Sequence, residues 1–311
     1  MDSITLQNTN LTVSRLCIGG CPAGEYGWGN VSRAEVQHAM LQAVEHGVNF
    51  FDTADTYGLG RSEETLGETL RPHREKVVIA TKFGVRVAGG KTWFDNSPAY
   101  IETALNESRK RLQTDYIDLY QVHYLDGVTP IDAMMEALIR HQQKGDIRAI
   151  GLSNITPDVL PSLTPYADYI ATFQNHYSLA HREDEAAMRQ MAHMLTAAPL
   201  TWGSLGQGIL TGKYDETVHF DENDRRSRGV YENFYGDKLQ KNLRIVAVMR
   251  PIAQAHHVPV ASVAVRWILQ AMQGSVVITG VKTPEQAKDN ALALRFALTD
   301  DELAALTEVS A

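Results

Sequence analysis

The chain of 311 residues has only two cysteines, Cys17 and Cys21, so it lacks a disulfide framework and a cysteine zinc pattern. It has no basic excess either: the net charge is −8 and the pI is near 5.8, which argues against nucleic acid and anionic membranes as partners. No apolar run approaches the length of a membrane span, and the N-terminus does not resemble a signal peptide. We therefore expect a cytoplasmic protein that binds neither membrane nor nucleic acid.

Two common site patterns are also missing. Gly58 and Gly60 do not complete a glycine fingerprint between a strand and a helix, which argues against a Rossmann domain. His256 and His257 are adjacent and lack the spacing of two ligands on one helix face, so we expect no metal site. Any nucleotide cofactor would have to bind through a different fold.

What the chain does have is a regular alternation of short apolar strands and amphipathic helices. Strands that alternate with helices pair in parallel through right-handed crossovers, and eight such units close into a barrel. The sequence therefore predicts one (β/α)8 TIM barrel domain over residues 1–311. The eight predicted strands are residues 16–18, 50–52, 77–82, 117–123, 147–152, 170–174, 200–202 and 276–278.

Three further segments surround this predicted barrel. The first fifteen residues are expected to form a hairpin that closes its N-terminal end, and residues 238–255 an extra long helix. Residues 203–236 are rich in Gly, Asp, Asn and Arg without a clear period, so they are expected to form a functional loop over the C-terminal mouth. Helix starts are predicted at Ser32, Ser62, Pro98, Pro130, Pro157 and Pro284.

Four residues carry most of the chemical information. Asp52, Lys82 and His123 each close a predicted strand and are 30 and 41 residues apart, about one strand–helix repeat each time. Tyr57 follows Asp52 by five residues, in a loop at the same end. Because barrel chemistry sits at the C-terminal ends of strands, we expect the four side chains to meet there. Each alone is more commonly a cap, a surface charge or a packing residue; their common placement favours a site.

These residue types are suited to proton transfer. A free tyrosine is a poor acid at neutral pH, but a nearby ammonium stabilises the phenolate and lowers the pKa of the phenol. We expect Lys82 to supply that charge, Asp52 to orient it, and Tyr57 to donate a proton to a carbonyl oxygen that His123 also contacts. Since no serine or cysteine nucleophile motif is present, hydride from a nicotinamide cofactor would complete the chemistry.

At this point nearly the whole chain resembles the aldo-keto reductase superfamily, closer to its bacterial sugar- and aldehyde-active branches than to vertebrate aldose reductases. The resemblance rests on several segments together: Phe51-Asp52-Thr53-Ala54 with Tyr57, Thr81-Lys82, Val122-His123, Gly151-Leu152-Ser153-Asn154, residues 205–214, and residues 278–290. It implies catalytic roles for Asp52, Tyr57, Lys82 and His123, and binding of NADP(H), with NAD(H) possible.

The resemblance also implies which residues hold the cofactor. Ser153, Asn154 and Gln174 would hold the nicotinamide carboxamide, with Trp202 stacked on the ring. Leu205, Gln207, Gly208 and Lys213 would line the pyrophosphate, and Gly20, Ser204 and Gly280 would also contact the cofactor. The adenosine end would be met by Lys282, Gln286 and Asn290, with Lys282 near a 2′-phosphate. Two departures stand out: Gly203-Ser204 replaces the family's Ser-Pro, and Lys282 and Gln286 stand where many members have arginine.

For the substrate, a small-molecule carbonyl or sugar, the predicted loop positions favour four aromatic wall residues: Trp28, Trp93, Tyr124 and Phe234. Two other functions compete with the oxidoreductase. Some relatives of this fold are cofactor-binding regulatory subunits of channels, with little turnover. A barrel lyase would instead use Lys82 as a Schiff-base nucleophile.

Overall fold

The computed structural model describes residues 2–311 and contains a closed barrel of eight parallel strands. In chain order the strands are β1 (Ser3–Thr5), β2 (Thr12–Ser14), β3 (Leu16–Gly19), β4 (Phe50–Asp52), β5 (Val78–Phe83), β6 (Val85–Ala88), β7 (Lys91–Phe94), β8 (Ile117–Val122), β9 (Ile147–Ser153), β10 (Ile170–His176), β11 (Ala198–Trp202) and β12 (Val276–Gly280). The barrel order is β3-β4-β5-β8-β9-β10-β11-β12, closing back on β3. The predicted (β/α)8 barrel is therefore confirmed, with each predicted strand present within a few residues.

Helices cover the outside of the barrel. They are α1 (Arg33–Glu45), α2 (Arg61–Leu70), α3 (Pro98–Leu112), α4 (Ile131–Lys144), α5 (Leu160–Leu163), α6 (Glu185–Leu195), α7 (Gly236–Ala255), α8 (Val260–Ala271), α9 (Pro284–Ala291) and α10 (Asp300–Val309). Side-chain caps fix two of these starts: Ser32 accepts from the Glu35 N–H and Ser97 from the Tyr100 N–H, each the third residue of its helix. No helix among these described residues is long and apolar enough to span a membrane.

Two apolar cores result from the alternation of side chains along each strand. One lies between the strands and the outer helices; the other fills the barrel interior with apolar side chains such as Cys17, Phe50, Ala80 and Leu119. The antiparallel β1–β2 hairpin adds Leu6 and Val13 to the interior core, so it closes the N-terminal end as predicted. The opposite end is left for polar side chains.

The segment predicted as a functional loop over the mouth, residues 203–236, contains only short 3₁₀ turns before α7 begins. Its backbone contacts the loop after β3: Trp28 and Asp224 form an isolated β-bridge, and the Arg225 N–H donates to the Gly27 carbonyl. One element was not predicted. Residues 85–94 form a β6–β7 hairpin between β5 and α3, where the exposed alternating pattern gave no barrel strand.

Candidate active site

The four residues singled out from the sequence lie together at the C-terminal mouth of the barrel. Asp52 is the last residue of β4, Lys82 is next to last in β5, and His123 directly follows β8. Parallel pairing of these three neighbouring strands brings the polar ends to one rim. Tyr57 lies in the loop between β4 and α2, on the same rim.

A buried ion pair forms the base of the site. Lys82 Nζ donates to Asp52 Oδ1 at 2.5 Å and to the Thr53 carbonyl at 3.0 Å, and neither side chain has more than 3% of its surface exposed. Asp52 Oδ2 accepts from two amides, Gln121 Nε2 at 2.8 Å and Gln174 Nε2 at 3.0 Å. A buried carboxylate needs such donors because desolvation would otherwise disfavour its charge. The two amides therefore hold the Asp52 carboxylate, and the carboxylate holds the Lys82 ammonium in place.

Tyr57 lies next to this ion pair. Lys82 Nζ is 5.2 Å from the centre of the Tyr57 ring, and the His123 ring is 6.0 Å away in an edge-on arrangement. The expected lowering of the phenol's pKa is wrong: burial raises the pKa of Tyr57 well above its ordinary value, and Cys21 and Asp52 add to the rise. The physical reason is that Asp52 already neutralises Lys82, so the ammonium cannot offset desolvation. Tyr57 keeps its proton at neutral pH.

His123 is neutral in this site. Burial lowers the pKa of its imidazole well below the ordinary value, and the positive charge of Lys82 lowers it further. The ring nitrogen Nδ1 is buried and has no hydrogen-bond partner among residues 2–311, while Asn154 Nδ2 donates to the His123 backbone carbonyl. A neutral imidazole carries one donor and one acceptor, so it can hydrogen-bond a carbonyl oxygen without adding charge.

The polar residues predicted to hold a carboxamide form one connected group. Asn154 Nδ2 donates to Ser153 Oγ, Ser153 Oγ donates to the Gln174 carbonyl, and Trp202 Nε1 donates to Asn154 Oδ1. Asn154 adopts φ 55°, a left-handed conformation that asparagine tolerates better than most residues. The structure thus brings Ser153, Asn154, Gln174 and Trp202 together at the ends of β9, β10 and β11.

The Trp202 ring belongs to a stack of three rings. His176 lies parallel to Trp202 at 4.3 Å, and His181 lies parallel to His176 at 3.9 Å. This stack accounts for Gly203, the departure from the family pattern: a Cβ at Gly203 would lie 2.4 Å from His176 Cδ2. The stack and the glycine therefore depend on each other.

The predicted pyrophosphate loop has an irregular backbone with several positive φ angles. Gln207 and Gly208 have φ values of 56° and 109°, and Gln207 Oε1 accepts from Asn233. Ser204 Oγ instead donates to the Thr201 carbonyl and is buried, so its hydroxyl is used within the turn. Leu205 and Lys213 lie on either side of these two residues along the chain. Gly20 directly follows β3, and a Cβ there would lie 2.7 Å from Ser62 Oγ and 3.1 Å from the Asp52 carbonyl oxygen.

The predicted adenosine-side residues lie on or just before α9. Gly280 ends β12, Gln286 Oε1 accepts from the Lys282 backbone N–H, and Asn290 Nδ2 donates to Thr279 Oγ1 in a buried position. The Lys282 ammonium donates to the Trp28 carbonyl. Burial lowers its pKa, and nearby Arg226 and Lys213 lower it further while Asp224 opposes them. Cations are therefore gathered here at an energetic cost that an anionic ligand would relieve.

The aromatic residues predicted for the substrate wall have different positions. Tyr124 stacks on His123 at 5.1 Å, and Trp28 donates from Nε1 to Cys21 Sγ at the mouth. Trp93 is 40% exposed on the β6–β7 hairpin beside Arg86. Phe234 does not line the mouth: it is 3% exposed, packs on Phe220 and Tyr214, and belongs to the large apolar core outside the barrel.

Sequence reasoning missed several residues that the structure brings to this mouth. Gln121 was missed because it lies inside a buried strand. Phe94 was missed because it lies in the unpredicted β6–β7 hairpin, where it stacks on Tyr124 at 5.2 Å. Arg226 pairs with Asp224 at 2.6 Å within the loop. A signal for Gln121 existed, since an amide in an otherwise apolar strand must find partners. Among residues 2–311, no group of three or more His, Cys, Asp or Glu is arranged to hold a metal.

Fold and site together define a (β/α)8 barrel enzyme with a cluster of ionisable groups at its C-terminal mouth. The profile of the Aldo/keto reductase family matches residues 15–311, and the chain belongs to this family. It is 32% identical over 290 residues to the aldo-keto reductase yakc of Schizosaccharomyces pombe, whose name specifies NADP(+), covering 90% of this chain and 84% of that one.

Two further likenesses extend over nearly the whole chain. The NADH-specific methylglyoxal reductase of Escherichia coli is 28% identical over 329 residues, covering 100% of this chain and 98% of its own. The solved structure of the glycerol dehydrogenase from Gluconobacter oxydans superposes with a TM-score of 0.89 at 30% identity, covering 99% of this chain and 94% of that chain. The protein is an aldo-keto reductase, an oxidoreductase for carbonyl substrates.

Proposed function

We propose that the protein transfers hydride between a nicotinamide cofactor and an aldehyde, ketone or sugar carbonyl, with Tyr57 as general acid. The observation that carries the proposal is the placement of the Tyr57 ring beside both Lys82 Nζ and the neutral His123 imidazole. A phenol, an ammonium and an imidazole at one rim form a donor set for a carbonyl oxygen that gains negative charge during reduction.

NADP(H) is the proposed cofactor, with NAD(H) as the second choice, since one relative is named for NADP(+) and another for NADH. The residues fit such a group. Ser153 and Asn154 present polar atoms beside the Trp202 ring, and the crowded cations Lys213, Arg226 and Lys282 favour phosphates. When bound, the cofactor supplies or accepts the hydride.

The chain's own residues handle the proton. Tyr57 holds its proton in the resting site because burial raises the phenol's pKa. As a carbonyl oxygen becomes an alkoxide, Tyr57 donates that proton and is left as a phenolate whose ring lies 5.2 Å from Lys82 Nζ. His123 hydrogen-bonds the same oxygen and orients the carbonyl. In the oxidative direction the phenolate form of Tyr57 takes the proton from the alcohol.

The substrate wall is formed by Tyr124, with Phe94 behind it and Trp28 on the opposite loop. The rings of His123, Tyr124 and Phe94 are stacked in sequence, so an apolar surface leads outward from the reacting centre. Flat or C–H-rich faces of aromatic aldehydes and sugars pack well on such rings. We propose carbonyl substrates of this kind.

The burial of Lys82 argues against the lyase. A Schiff-base lysine must lose its proton and reach the substrate, whereas Lys82 is fully buried and bonded to Asp52 and Thr53. The regulatory-subunit alternative differs from the enzyme in turnover. It predicts tight cofactor binding with little reduction of any carbonyl.

The experiment is Tyr57→Phe, measured as kcat for carbonyl reduction together with the cofactor Kd by fluorescence titration. Loss of the general acid should lower kcat by about 100- to 10,000-fold and leave Kd nearly unchanged. Tyr169→Phe, at an exposed tyrosine on the surface, is the matched control and should behave as wild type. Near-full activity of Tyr57→Phe contradicts the assignment. Tight cofactor binding by a wild type without turnover supports the regulatory alternative.

A further inference from the structure

Gln121 is a fully buried amide inside β8, directly below the candidate active site. Its Nε2 donates to Asp52 Oδ2 at 2.8 Å, and its Oε1 accepts from Gln174 Nε2 at 3.1 Å. In the strand register it lies opposite Lys82. One amide thus contacts the carboxylate that holds Lys82 and the glutamine expected at the cofactor's carboxamide.

The neighbouring strand leaves space for this side chain. Gly151 of β9 pairs with Gln121, and a Cβ on Gly151 would lie 2.8 Å from Gln121 Cγ. The same Cβ would lie 2.6 Å from Thr172 Oγ1. The φ angle of Gly151 is not in the left-handed region, so the requirement for glycine is one of space. An amide held this tightly has little freedom to rotate and can fix its partners.

The two hydrogen bonds have different consequences. The donated bond fixes the second oxygen of Asp52, and through Oδ1 it fixes where the Lys82 ammonium lies relative to Tyr57. The accepted bond orients the Gln174 amide. Gln174 Nε2 donates to both Asp52 and Gln121, and these two bonds fix the direction in which Gln174 Oε1 points. Breaking one bond need not break the other.

We infer that Gln121 is a positioning residue that sets the proton-donating centre through Asp52 and the cofactor pocket through Gln174. This inference rests on the proposed function. A hydrogen bond to a charged group is stronger than a neutral one, so loss of the Gln121–Asp52 bond should mainly lower kcat. Loss of the neutral hydrogen bond between Gln121 and Gln174 should mainly raise the cofactor Kd.

Two variants separate the bonds. Gln121→Met fills the space without either bond, so kcat should fall about ten- to a hundred-fold and the cofactor Kd should rise about three- to ten-fold. Gln121→Glu keeps an acceptor for Gln174 but places a second carboxylate against Asp52. Its kcat should fall at least as far, while its cofactor Kd stays within about twofold of wild type. The substrate KM should change less than about threefold in both variants.

Thr172→Val is the matched control, since Thr172 is equally buried, lies beside the same glycine, and its hydroxyl has no partner among the described residues. It should leave kcat and Kd unchanged. Thermal melting checks that each variant is folded; if Gln121→Met does not fold, Gln121→Glu alone decides.

The inference is overturned if folded Gln121 variants keep wild-type kcat and Kd, or if they lose only melting temperature, while Tyr57→Phe loses turnover in the same assay. That pattern leaves the proposed function intact. A wild type without carbonyl reduction would overturn both.

Discussion

Asp55 gives the sharpest stability prediction, because this carboxyl group is buried without adequate partners. Burial, and secondly the nearby charge of Glu63, raise the pKa of Asp55 from 3.8 to about 8, although Arg111, the Thr56 backbone N–H and Lys82 oppose the rise. Its Oδ1 atom has no hydrogen-bond partner among residues 2–311. Folding therefore holds Asp55 protonated at neutral pH, whereas the unfolded chain ionises it.

The direction in which stability changes with pH follows from which state binds more protons. Between about pH 4 and pH 8 the folded state binds the extra proton, so the free energy of unfolding falls as pH rises through this window. The full pKa difference would correspond to about 6 kcal/mol. Part of Asp55 remains in contact with solvent, which screens the charge, and we expect about 2 to 3 kcal/mol.

The perturbation is Asp55→Asn, which keeps the shape and cannot ionise. Urea unfolding from about pH 5 to pH 9 should show the variant near wild-type stability at the acid end and about 2 to 3 kcal/mol more stable at the alkaline end. Asp168→Asn, at an exposed aspartate, makes the same chemical change and should show no such trend. A stability difference for Asp55→Asn that does not grow with pH would refute the reasoning.

Three further predictions concern the site. Lys82→Met leaves the Asp52 carboxylate buried without its ammonium, so it should cost about 3 kcal/mol or more in urea unfolding and abolish most turnover; an unchanged unfolding curve would contradict the ion-pair argument. Lys282→Ala should weaken NADPH binding about tenfold and NADH binding less than threefold by fluorescence titration, and equal losses would remove the 2′-phosphate assignment. Tyr124→Ala removes the ring between His123 and Phe94, so KM should rise about five- to tenfold for aromatic aldehydes and little for glyceraldehyde, whereas equal changes would exclude an aromatic wall.

The sequence predicted the barrel because the rule that governs it is local. Apolar runs of strand length, separated by capped helices, leave parallel pairing as the topology that buries them, and the polar residues closing three neighbouring runs then have to share one rim. Asp52, Lys82 and His123 could be placed on one rim this way without any knowledge of distances. The hairpin of residues 85–94 could not be predicted, because its strands are mostly exposed and so lack the buried apolar run that marks a barrel strand.

The pKa values of the site residues could not be predicted from the sequence. Whether Lys82 acidifies Tyr57 depends on how much of its charge Asp52 neutralises and how much solvent the phenol has lost, and both are set by packing between distant segments. The role of Gln121, the burial of Phe234 and the dependence of Gly203 on His176 likewise follow from contacts across the barrel. Sequence alone determined which chemical groups this protein has and at which end of its strands they lie. Only the tertiary structure decided their charge states and partners, because desolvation and hydrogen bonding are properties of the assembled site.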